Sequence, residues 1–282
     1  MCGASLGAAG TAVPAPADQP VVSTAPAKVS APAAVPVAAV PAAAVPAPAV
    51  PAAPVVAPAP APAAPGGTAA EIMNRGKLVP DKFAAALAVP KADKPVKIDG
   101  TLNEPAWDNA VAIGDFVEGK GQKAQVDTRV LATYDSDNLY LAVICEEPNT
   151  DKLVAKATER DGSVWGDDCV EFYLDPSNAK QPKNYFAFFA NCKNVVYDRA
   201  GDPNWSGQWT SATTVIPDKA WIVEVAIPFK TMNVSSAGAG HKLGLMVQRD
   251  RKAGLEKPQA LFLIPCNKEA KNTAVYPVLQ LK

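Results

Sequence analysis

Between Thr11 and Gly67 the chain is almost wholly alanine, proline and valine, with one acid, Asp18, one base, Lys28, and no aromatic residue. Each proline fixes φ and removes an amide donor, so proline at such short intervals neither propagates a helix nor fits inside a sheet. Lacking an aromatic anchor, the stretch also buries too little surface to offset the entropy of ordering it. Polyproline II and extended coil are its expected states, and residues 11–87 read as a disordered, semi-rigid Ala/Pro-rich spacer behind a short tail, residues 1–10. Roughly 190 to 200 residues remain, enough for one core, and residues 88–282 are the expected folded domain.

The net charge of −1 and the lack of a basic run after the spacer argue against a nucleic-acid partner. No run of about 18 apolar residues is free of proline, so no membrane-spanning helix is expected. Met1 to Ser5 lacks the basic start and longer apolar stretch of a secretion signal, yet Cys2 followed by Gly3, Ala4 and Ser5 resembles the start of a mature bacterial lipoprotein. The expectation is an exported monomer, extracellular or in the cell envelope, with a lipid anchor at Cys2. Cys145, Cys169, Cys192 and Cys266 fall in or beside expected strands without the paired spacing of a zinc site. One or two disulfides among them are open, and the sequence does not choose the pairing.

Strand chemistry dominates the rest. Arg129–Tyr134 and Leu139–Cys145 flank the polar loop Asp135-Ser136-Asp137-Asn138, the pattern of a β-hairpin. The second of these is apolar on both faces, which places it inside the fold. Trp221–Phe229 alternates cleanly until Pro228 ends it, and Tyr185–Asn191, Val195–Asp198, Leu243–Arg249, Ala260–Ile264 and Tyr276–Leu281 have strand composition. Ala88–Ala92 suits an edge strand because of Pro90. Helices are expected to be short, one over Lys82–Leu87 and one opened by Pro105 that carries Trp107 into the core. About nine strands without a long helix define an all-β protein, an antiparallel β-sandwich.

The stretch Asp161–Pro176, DGSVWGDDCVEFYLDP, concentrates the chemistry. As a strand, Cys169–Leu174 puts Val170, Phe172 and Leu174 on one face and Cys169, Glu171 and Tyr173 on the other. Trp165 then stands on the loop feeding the second face. An aromatic plane beside a carboxylate suits a polyhydroxylated ligand, whose C–H face lies on the ring while its hydroxyls bond the charged oxygens. Asp161, Asp167, Asp168 and Glu171 also invite a hydrolase reading. Adjacent carboxylates at a strand entrance are better explained by turn capping or by a hard cation, so no enzyme is expected. His241 follows a Gly/Ser/Ala run and reads as a surface-loop residue.

Taken together, IDGTLNEPAW, the YDSDNLYLAV hairpin, VWGDDCVEFYLDP, the WIVEVAIP strand and the final VLQLK resemble the family 9 carbohydrate-binding modules, over about Ala88–Lys282. The resemblance implies a β-sandwich with structural calcium that binds an oligo- or polysaccharide without cleaving it. It implies that Trp165 is a sugar platform, that Asp168 matches the family's acid three residues on, and that Glu171, Asn191 and Gln248 contact hydroxyls. Asp99, Glu104, Asp161 and Asp175 are the candidate calcium ligands. Phe189 stands where the family has an arginine, and no tryptophan lies between Ile264 and Tyr276, where a second platform belongs. Trp205 and Trp209 are the candidates to replace it, with internal packing the competing role of Trp209. Two alternatives accompany this reading. Relatives of the sandwich bind haem, for which Met232, Met246 or His241 would be axial ligands, held noncovalently in the absence of a haem-attachment motif. The domain could otherwise serve purely as a structural or interaction module of an envelope protein.

Overall fold

The computed structural model describes residues 67–282 apart from 203 and 204. The lipoprotein-like start, Cys2 and the tract up to residue 66 lie outside the described residues. In chain order the described elements are α1 (Ala69–Met73), β1 (Lys77–Leu78), β2 (Leu87–Val89), α2 (Pro105–Asn109), β3 (Val111–Ile113), β4 (Val117–Glu118), β5 (Thr128–Tyr134) and β6 (Asn138–Glu146). There follow β7 (Cys169–Asp175), β8 (Phe186–Asn191), β9 (Val196–Ala200), β10 (Thr210–Ile216), β11 (Ala220–Pro228), β12 (Lys242–Arg251), β13 (Gln259–Phe262) and β14 (Val278–Leu281). One sheet runs β1-β3-β5-β6-β11-β10; the other runs β2-β14-β12-β7-β8-β9, with β13 on β12 and β4 on β13.

The sandwich follows from alternation. Leu141, Val143 and Cys145 of β6 and Trp221, Val223 and Val225 of β11 point into the same cluster as Val170, Phe172 and Leu174 of β7, which is the core between the sheets. The other face of β6 and β11, with Tyr140, Ala142, Ile144 and Ile222, is covered by Trp107, Leu102 and Ile72. That second cover is why Leu139–Cys145 is apolar on both faces. The hairpin loop is set by Asp135, whose Oδ1 accepts from the amides of Asp137 and Asn138 at 2.8 Å each.

Three expectations need correcting. Both sheets are mixed, because β1 runs parallel to β3 and β2 parallel to β14. These N-terminal edge strands arrive by long connections, and no hairpin dictates their direction. More strands form than the nine expected: β3 and β4 are too short to show alternation, and Thr-rich β10 reads as loop until its full-length pairing with β11 is seen. Finally, packed structure begins before residue 88. Thr68 and Glu71 form a reciprocal cap on α1, which sinks Ile72 to 0% exposure in the outer cluster. No helix forms over Lys82–Leu87, since Leu87 pairs with Leu279 instead, sheet pairing overriding the propensity of the alanines.

Two polar systems are buried inside this framework. Arg249 of β12, fully enclosed, donates to Thr128 Oγ1 at 3.0 Å and to the Glu146 carbonyl at 2.7 Å, so it links the two sheets. Glu147 accepts from it at 3.3 Å and from Arg251 Nε at 2.6 Å. Burial raises the Glu147 pKa, but bonds from Arg251 and from the Asn149 amide outweigh it and hold the carboxyl below its ordinary value. On the outer face Glu224 accepts from Trp107 Nε1 at 2.9 Å and from the amides of Asp99 at 2.9 Å and Gly100 at 2.6 Å. Trp107 therefore anchors the core as expected, with its one polar atom satisfied.

Because Ile72 is enclosed, Ile72→Ala is expected to cost about 2 to 4 kcal/mol, read as a lower urea midpoint at unchanged slope. A neutral effect would mean that residues 68–87 do not pack on the sheet.

Candidate functional site

The outward face of β7 carries Cys169, Glu171 and Tyr173, and register brings its neighbours alongside. Gln248 of β12 pairs with Glu171 and Asp250 with Cys169, while Phe189 of β8 pairs with Glu171 on the other side. On β9, Tyr197 pairs with Phe189 and Arg199 with Ala187. These side chains floor a groove of about 810 Å³, walled by Trp165, Pro182, Lys183 and the segment 268–272. That wall is fixed by Thr273 Oγ1 donating to the Gln181 carbonyl at 2.9 Å and Tyr276 OH to the Ala270 carbonyl at 2.8 Å.

Trp165 sits on a short 3-10 turn, Val164–Gly166, and is 48% exposed. Tyr197 meets it edge-on at 5.3 Å and 81°, and Phe189 continues the aromatic floor 5.2 Å from Tyr197. The turn is held from beneath by the two carboxylates that follow it. Asp167 accepts from the amides of Lys156 at 2.7 Å and Ala157 at 3.1 Å, and Asp168 from those of Val154 at 2.8 Å and Lys252 at 2.7 Å. Lys252 Nζ donates to the carbonyls of Trp165 at 3.2 Å and Asp167 at 2.6 Å. Backbone capping is what this pair of acids does.

Glu171 is recessed, at 3% exposure, and receives the hydroxyl of Tyr173. Gln248 Nε2 donates to Asp250 Oδ1 at 2.9 Å, and ligand-type atoms of Cys169, Glu171 and Asp250 lie within 4.8 Å of one another. Burial, then the Asp250 carboxylate, pushes the Glu171 pKa up to about 8, and burial raises that of Asp250 as well. Glu171 is therefore held protonated near neutral pH. Such a pair both donates to and accepts from hydroxyls, at the foot of an exposed indole.

Among the sequence-expected residues, Trp165, Glu171 and Gln248 are brought together. Asn191 is not. Its side chain is enclosed, donating to Asp167 at 2.9 Å and accepting from the amides of Lys193 at 3.0 Å and Val195 at 2.8 Å, so it closes the β8–β9 turn. Trp205 and Trp209 pack edge-on against Phe188, at 6.1 and 5.3 Å, on the core face of β8, and neither reaches the groove. Trp209 Nε1 is taken up by Asp198 at 2.8 Å.

The four candidate calcium ligands do not converge. Asp99 accepts from the Thr101 amide at 3.0 Å and pairs with Lys97 at 3.0 Å, and Glu104, half-buried, precedes α2. Asp161 accepts from the Asp198 amide at 3.3 Å, and Asp175 from the Lys180 amide at 2.7 Å at the far end of β7. Donors already occupy oxygens of Asp99, Asp161 and Asp175, and although Glu104 Oε2 is buried without a partner, the four do not fit calcium as one site. All four described cysteines are free and buried, which leaves the expected disulfides unformed. Of the haem-ligand candidates, Met232 and Met246 are enclosed and His241 Nε2 bonds the Pro176 carbonyl at 2.8 Å.

Tyr197, Arg199 and Asp250 were missed by sequence reasoning. Tyr197 and Arg199 alternate along β9, a detectable signal, whereas Asp250 lies one residue past the expected end of its strand.

Residues 98–282 match the family described as carbohydrate family 9 binding domain-like, and the chain belongs to that family. No curated protein matches it. Among solved structures it resembles a family 9 carbohydrate-binding module from Caldicellulosiruptor kristjanssonii in complex with cellotriose, at 18% identity and a TM-score of 0.54, covering 70% of this chain and 93% of that one. A structure of a family 9 module from the same organism with glucose gives the same identity and TM-score, covering 95% of that chain. A Bacteroides uniformis protein matches at 19% identity with a TM-score of 0.56, covering 70% of this chain and 99% of that one. At these identities the likeness establishes the β-sandwich.

The raised Glu171 pKa has a stability consequence. The folded state keeps a proton that the unfolded chain gives up above the ordinary value of 4.5, so this contribution is complete below that pH and is lost as pH rises through about 8. Melting temperature is expected to fall across that window, and Glu171→Gln to flatten the fall. A pH profile identical in the variant would contradict the assignment.

Proposed function

We propose that the groove binds carbohydrate without cleaving it, and that the protein is an exported, surface-tethered module that displays this groove on its Ala/Pro-rich stalk. The observation that carries the reading is Trp165, half open to solvent beside a recessed, hydrogen-bonded carboxylate. A pyranose laid on the indole buries its C–H face there while its hydroxyls reach Glu171, Asp250 and Gln248. Family membership supports this, as do the cellotriose and glucose in the complexes of the solved relatives.

A non-catalytic role is supported by the placement of the acids. Asp167 and Asp168 are committed to backbone amides, and Glu171 and Asp250 stand on neighbouring strands of one floor rather than on two sides of a bound glycosidic bond. Export, and an anchor at Cys2, rest on the lipoprotein-like Cys-Gly-Ala-Ser start and the proline-rich tract behind it. No helix among the described residues is long and apolar enough to cross a membrane.

Glycan-array binding of the full chain, with and without calcium, is the direct test. Trp165→Ala is expected to weaken retention at least about tenfold, the scale of an aromatic anchor, with the melting temperature nearly unchanged. Under a purely structural role the same substitution would lower the melting temperature and the array would stay blank. Release of reducing sugar, abolished by Glu171→Gln, would overturn the non-catalytic reading.

A further inference from the structure

The groove is more basic than a neutral sugar requires. Lys183, Arg199, Lys268 and Lys271 all line it, and none forms an ion pair with a carboxylate among the described residues. Arg199 is the most telling. Its Nε is buried without an acceptor, and its Nη2 reaches only the Gly201 carbonyl of its own loop, at 3.4 Å. A guanidinium left this poorly satisfied beside a cavity is a fork without its anion.

Position strengthens the case. Tyr197, which contacts Trp165, and Arg199 lie two residues apart on one face of β9. That separation is about 6.6 Å along a strand, the scale of a single sugar ring. Three acids also line the groove, but Glu171 and Asp250 are recessed on its floor, which leaves Glu269 on the wall as the one acid outside that pair. The positive side chains therefore outweigh the negative ones where a ligand enters.

Resting on the carbohydrate reading above, we infer that the preferred ligand is an acidic sugar, a uronic acid unit whose ring lies on Trp165 and whose carboxylate pairs with Arg199. Lys183, Lys268 and Lys271 supply the surrounding positive potential. A carboxylate fits because its two coplanar oxygens match the guanidinium fork. The basic segment 268–272 thus stands in for the second aromatic platform that the sequence lacks, replacing stacking area with charge.

Calorimetric titration of the full chain with matched pairs of neutral and uronate oligosaccharides tests this, using glucose with glucuronate, galactose with galacturonate and mannose with mannuronate at equal length and linkage. In at least one pair the uronate is expected to bind about tenfold more tightly at about 20 mM salt, the advantage shrinking severalfold at about 500 mM. Arg199→Gln combined with Lys268→Gln and Lys271→Gln is expected to bring the uronate-to-neutral ratio towards one. Neutral sugars binding as well as their uronates would overturn this inference while leaving carbohydrate binding standing. A uronate preference retained in the triple variant would overturn the assignment to these residues, and silence with every pair would overturn both readings.

Discussion

Two adjacent carboxylates hold the loop of the candidate site in place. Asp167 and Asp168 gather amide donors from residues 154–157 and 252–253 and the side-chain amide of Asn191. Both acids are buried, so the amides they satisfy would otherwise be orphaned donors at a strand entrance. Their bonds fix the turn above them, and the turn presents Trp165. An indole half in solvent would sample many orientations on a free loop; on this one it is preorganised, and the ordering cost of binding is met during folding.

The same economy divides polar work across the molecule. Arg249 and Glu147 stitch the sheets together inside the core, and Glu224 holds the α2 region on the outer sheet through Trp107. In both places most donors find an acceptor, Arg249 Nε being left without one. The groove has its own arrangement. There Glu171 and Asp250 crowd each other and Arg199 has no carboxylate partner among the described residues. The crowded carboxylates and Arg199 lie in the groove that Trp165 lines, which supports it as the candidate site.

Much of this was legible in the residues. Strand composition located the central strands nearly to the residue, because Leu139–Cys145 and Trp221–Phe229 are long and rich in β-branched and aromatic residues, and period-two alternation separated the two faces of β7. Strands β3 and β4 escaped because two or three residues carry no period, and the parallel edges because direction is set by tertiary connection rather than by local sequence. Motif and spacing pointed to Trp165, Glu171 and Gln248, which line one groove. Asn191 lies away from it because an asparagine on a strand face can be consumed by its own turn, which only hydrogen-bond geometry reveals. For the acids proposed for calcium, spacing shows where carboxylates are, not that the structure spreads them apart or which donors reach Asp99, Asp161 and Asp175.

The account turns on which of the five tryptophans meets the ligand. Trp107 and Trp221 are enclosed, Trp205 and Trp209 pack on the core side of β8, and Trp165 alone lines the groove. Following the five indole N–H signals by NMR during titration with an oligosaccharide that binds separates these environments in one experiment. The Trp165 resonance should move while the other four stay in place. A stationary Trp165 beside shifting Trp205 or Trp209 signals would contradict the site described here.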